Sequence, residues 1–153
     1  MLSGEKMNFW AKVQNEDGFS ATFFAIAMPV IITIMGVAVD ASYIVYNRIR
    51  LDMAVDAAAR AAIHSLDLST WYGERKVVLN TDKAYQMVDE LMKANMPNAK
   101  LTKMEIPSET PNMCVIDVEA QVPLFFLRIF NENSFTIHAS ARAIGYDPNQ
   151  SQG

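Results

Sequence analysis

Residues 19–39, FSATFFAIAMPVIITIMGVAV, run for 21 positions without a charge. At 1.5 Å per residue such a helix spans about 32 Å, close to the hydrocarbon thickness of a bilayer. The pattern predicts a transmembrane helix. A buried core helix is usually shorter and keeps a polar side. A secretory signal carries an apolar stretch of about 7–15 residues after a clearly basic segment. Here the preceding flank sets Lys6 and Lys12 against Glu5, Glu16 and Asp17, while Gly36-Val37-Ala38 has the small-x-small form of a cleavage site. The length of the run and the helical pattern after it favour a helix that stays. Pro29 sits mid-run, removes one backbone bond and predicts a bend, which membrane helices tolerate.

No Gly or Pro occurs between Val37 and Tyr72, and Ala54, Ala57, Ala58, Ala59, Ala61 and Ala62 are crowded together. Ala is the best helix former. The pattern therefore extends the same rod to about Leu66. Ile44, Leu51, Val55, Ala58, Ala62 and Leu66 form one stripe at three-four spacing. Arg48, Asp52, Asp56 and Arg60 step by four along another face. Their outer pairs are opposite in sign and support a helix by about a few tenths of a kcal/mol each. Ala54, Ala58 and Ala62 repeat a small residue every four positions, a face on which another backbone can approach closely. Two partners fit that face: a helix of a neighbouring subunit, or the domain's own sheet.

Beyond the rod, residues 68–79 contain Trp71-Tyr72-Gly73 and read as a turn. Asn80-Thr81-Asp82-Lys83 supplies a helix start, and Ala84, Met87, Val88, Leu91 and Met92 an apolar stripe that ends near Asn95. From Ala99 the period changes to two. Leu101, Lys103 and Glu105 alternate with Thr102, Met104 and Ile106; residues 113–122 and 135–144 alternate again. Residues 123–130, PLFFLRIF, are very apolar and lead into the turn Asn131-Glu132-Asn133. The expected architecture is α+β: a long helix, a second helix, and a roughly three-stranded antiparallel sheet. The chain divides into a flank at 1–18, the apolar helix at 19–39, a helical extension at 40–66, a small α+β domain at 67–146 and a flexible polar tail at 147–153.

The remaining composition narrows the chemistry. A net charge of −4 and a pI of about 5.1 argue against a nucleic-acid partner. A single cysteine, Cys114, leaves no internal disulfide. His64 and His138 belong to no ligand-spaced motif, and nucleophile-elbow, phosphate-loop and EF-hand patterns are missing. Asp52 and Asp56 are spaced to share a cation, but Arg48 and Arg60 flank them and favour simple pairing. The expectation is a protein that is no enzyme and has no catalytic residue, cofactor, metal or small-molecule substrate.

Residues 18–62 resemble the N-terminal module of the TadE/TadG family of tight-adherence (Flp-type) pilus systems. The resemblance rests on Gly18, Phe24-Ala25-Ile26-Ala27-Met28-Pro29-Val30, Val37-Ala38-Val39-Asp40, Tyr43, Arg48 and the segment at 51–59, which includes Asp56. Residues 118–143 are also similar to the family's last two strands, ending in Ala139-Ser140-Ala141-Arg142-Ala143. The resemblance implies a pilin-like, single-pass protein of the bacterial inner membrane. Its N-terminus would be cytoplasmic and its C-terminal domain periplasmic or extracellular, with incorporation into a pilus open. The implied partners are the lipid bilayer, other pilin-like subunits and pilus-assembly proteins. It also implies a processing point at the Gly18-Phe19 bond, where a prepilin peptidase would act. Pilins and the TadE branch commonly carry Glu at the fifth mature position, and this chain has Phe23, which favours the TadG branch. Longer TadG proteins add a von Willebrand-like domain, whose Asp-x-Ser-x-Ser motif does not occur in these 153 residues. Two alternatives stand beside this reading: a membrane-tethered periplasmic adaptor or sensor unrelated to pili, and a small domain secreted after signal cleavage.

Overall fold

Helix α1, Glu16–Ala62, joins the apolar run and the Ala-rich extension into one element of 47 residues, about 70 Å long. The computed structural model describes residues 16–74 and 77–146. Most of the expected leader and the tail at 147–153 lie outside the described residues. The helix passes through Pro29 without interruption. Thr22, Thr33 and Ser42 each donate a hydroxyl to the carbonyl four residues earlier, at 2.8–2.9 Å. Those bonds satisfy polar side chains that have no water to turn to if the helix lies in an apolar medium.

The rod stops at Ala62, four residues before Leu66. Ser65 turns back on the last turn: its N–H and its hydroxyl both donate to the Ala62 carbonyl, at 3.1 and 2.6 Å. Leu66 is then drawn into an antiparallel bridge with Leu79. The Asn80 N–H to Ser65 carbonyl bond (2.7 Å) and the Asp67 N–H to Val78 carbonyl bond (2.9 Å) flank it. Where the sequence predicts a turn, a seven-residue helix α2 forms over Leu68–Glu74. Asp67 starts it by accepting the Thr70 hydroxyl at 3.0 Å. Helix α3, Thr81–Asn95, begins where expected, with the Asn80 side chain accepting the Lys83 N–H. It buries Ala84, Val88 and Met92.

Strands β1 (Ala99–Glu105), β2 (Met113–Pro123) and β3 (Ser134–Ile144) form an antiparallel sheet in the order β1-β2-β3. Cys114, Ile116, Val118, Ala120 and Val122 of β2 point inward with Ile137, Ala139, Ala141 and Ala143 of β3. In β1 strict alternation would put Leu101 and Met104 on opposite faces. The pairing shifts between Leu101 and Lys103, leaving Thr102 as an extra residue, and both apolar side chains face the core.

The C-terminal part of α1 crosses the inner face of the sheet beside α3. Leu51, Ala54, Val55, Ala58, Ala59 and Ala62 are buried in that core. The small domain therefore includes the last three turns of the rod as well as residues 67–146. Among the described residues nothing covers the N-terminal half of α1 in this way: Phe23, Phe24, Ile26, Ile32, Ile34 and Met35 are all exposed.

Candidate functional site

The most constrained polar group lies where the bare and covered parts of α1 meet. Strand β2 ends at Pro123, which has no N–H to continue the ladder. The chain then turns into a short 3-10 helix at Leu127–Phe130. The first N–H groups of such a turn have no partner within it. Asp40, fully buried on α1, supplies one. Its Oδ1 accepts the Phe125 N–H at 2.9 Å, and its Oδ2 accepts those of Phe126 and Leu127 at 2.9 and 2.7 Å. A carboxylate 85 residues away thus caps the turn. The three donors replace the water that burial removes from the charge.

Neighbouring turns of α1 complete the seat. A Cβ on Gly36 would lie 2.4 Å from Phe126 Cδ1 and 2.9 Å from its Cβ, so the ring occupies the space the glycine leaves open. Tyr43 stacks edge-on against Phe125, with centroids 5.4 Å apart and planes at 64°. Asn47 follows on the same side, its amide donating to the Tyr43 carbonyl at 2.8 Å. Gly36, Asp40, Tyr43 and Asn47 thus form one stripe on which the β2–β3 connection is clamped. At the far side of the connection Asn131 adopts a left-handed φ of 69°, and the Leu124 N–H meets the Asn133 carbonyl at 3.0 Å. Asn tolerates that conformation better than most residues.

Of the motif residues singled out from the sequence, Asp40 and Tyr43 enter this seat. Arg48 and Asp56 lie on the exposed ladder, in ion pairs Arg48–Asp52 at 3.3 Å and Arg60–Asp56 at 3.5 Å. Ala54, Ala58 and Ala62 lie in the domain's own core. Gly18 is exposed near the start of α1 with open space around it, and Phe19 follows it in the helix. Pro29 lies in the bare half of α1, and its carbonyl accepts the Thr33 hydroxyl. Gly36 entered the sequence analysis only as part of a cleavage-site pattern, and residues 125–127 only as part of the apolar stretch at 123–130. Their signals were a glycine within an apolar helix and a connection too apolar for an ordinary exposed loop.

The arrangement holds elements together and presents no reacting group. Cys114 is buried, and burial pushes its thiol up, away from the reactive thiolate. His64 and His138 are exposed. Among the described residues no three His, Cys, Asp or Glu side chains come together to hold a metal.

No curated protein matches the chain, and no solved structure does. The matching family segment covers α1 from Gly18 and ends just past it, so it includes Gly36, Asp40 and Tyr43 but not residues 118–143. Over residues 18–64 the chain is similar to the family described as putative Flp pilus-assembly TadE/G-like, whose model matches that segment.

Proposed function

We propose that the protein is a membrane-anchored, pilin-like, non-catalytic subunit in the assembly of a Flp-type pilus. One observation carries the reading: the segment that matches the pilus-assembly family is also a helix whose first half is apolar and bare. Its second half is the spine of a folded domain. In this reading the bare half crosses the inner membrane once, and the α+β domain stands outside it. The anchored domain moves with the membrane helix because helix and domain core share one continuous rod.

Assembly then works through surfaces. Beyond Asp40, Val45, Ile49 and Met53 are exposed at four-residue spacing on the extension. They form an apolar strip that a helix of another pilus component can cover. The Gly18-Phe19 bond is the proposed processing point, and cleavage there would leave Phe19 as the new terminus. Phe23 provides no carboxylate to pair with a neighbour's terminal amine, which favours an assembly or minor subunit over the main filament subunit.

The test is Ile49→Lys in the full chain, expressed in cells that make the pilus. Piliation and co-isolation with pilus components are expected to fall at unchanged protein level and membrane content. Normal piliation, with neither the parent chain nor the variant co-isolating with pilus components, would point to an unrelated tethered adaptor.

A further inference from the structure

We propose that the β2–β3 connection, residues 125–130, is a second membrane contact whose partner is lipid. It would insert beside α1 into the leaflet from which the helix emerges. The proposal rests on the reading of residues 19–39 as a membrane span. Four observations support it.

The first is depth. Phe126 packs on Gly36, which lies inside the uncharged run and three residues before its end. At 1.5 Å per residue the ring packs at a level about 4–5 Å inside the last uncharged residue, Val39. A connection held there cannot stay clear of a bilayer that covers the run.

The second is composition. Phe125, Phe126, Ile129 and Phe130 are exposed, Ile129 by 80%. Within residues 123–130 the only charge is Arg128, also exposed. A long arginine beside inserted aromatic and aliphatic groups can keep its head at the phosphate level.

The third is backbone satisfaction. Irregular chain enters an apolar medium only if its N–H groups have partners. Those of Phe125, Phe126 and Leu127 donate to Asp40. Those of Ile129 and Asn131 donate to the Phe126 and Arg128 carbonyls, at 3.1 and 3.0 Å. The buried carboxylate thus fits the connection for a medium without water.

The fourth is the level of the flanking aromatics. Tyr43 and Tyr46 follow the run by one to two turns, where interfacial tyrosines are enriched. A single helix leaves an attached domain free to tilt and rotate. A second contact on one side fixes which face of the extension points to neighbouring subunits.

The test places nitroxide labels on the full chain in phosphatidylcholine–phosphatidylglycerol vesicles, one at a time, through Ile129→Cys, Ile32→Cys and Tyr72→Cys. The parent chain, with Cys114 buried, is the labelling blank. Each label's collisions with oxygen and with a water-soluble nickel chelate are measured. The expected result is that positions 129 and 32 both favour oxygen, by several-fold over position 72. If position 129 behaves like 72 while 32 favours oxygen, the connection rides in water and the proposal fails, with the span intact. If 129 is shielded from both reagents, a protein covers it and the proposal fails. If 32 also behaves like 72, the span itself is wrong and the proposal falls with it.

Discussion

Asp40 is the first charge after the apolar run, and both its carboxylate oxygens accept from the backbone of a distant turn. Removing it orphans three N–H groups at once, and a buried donor without a partner costs more than the bond itself contributes. Asp40→Ala should lower the unfolding midpoint in detergent by several degrees. Asp40→Asn, which keeps one carbonyl acceptor, should lower it by less. Equal midpoints for parent and Ala variant would show that water or detergent replaces the carboxylate at no cost. Gly36 makes a second residue-level claim. Gly36→Ala pushes a methyl into the Phe126 ring and should cost about 1–3 kcal/mol. In the double variant with Phe126→Ala, the penalties should sum to less than their parts by about 0.5 kcal/mol or more. Strict additivity would contradict the contact. The sequence marked Asp40 as a motif residue, but nothing local pointed to its partners. Gly36 had an equally good local explanation in a cleavage-site pattern. Both roles depend on a contact across most of the chain, which periodicity cannot encode.

At the scale of elements, the pattern read best where one face decides everything. The stripe through Leu51, Val55, Ala58 and Ala62 is buried as its spacing required, and β2 and β3 keep their alternation. Misses fall where short-range hydrogen bonds override period. Ser65 and the Leu66–Leu79 bridge end α1 early, Asp67 starts a helix where a turn was expected, and one extra residue rephases β1. The alanine face was legible as a packing face, but the sequence left two partners open, and only the fold shows it inside the domain's own core. Ala58 is fully buried there, so Ala58→Leu must overpack the core. The expected cost is about 1–3 kcal/mol in denaturant unfolding, with membrane content unchanged. A neutral result would mean that this position is not packed in the domain core.

The whole molecule is divided by cover rather than by sequence. From about Leu51 onward the apolar faces of the rod have a sheet and a second helix to bury against; before Gly36 they have none among the described residues. A row of exposed Phe, Ile and Met side chains of that length is unstable in water and stable in lipid or against another apolar surface. The central claim is therefore that residues 19–39 stay in the working protein as its anchor. The most direct measurement is the intact mass of the carbonate-resistant protein from native membranes, with its N-terminal residue. The account predicts a membrane-retained chain that contains residues 19–39, beginning at Phe19 if the proposed bond is processed. A form that starts near Val39 and leaves the membrane on carbonate extraction would contradict it.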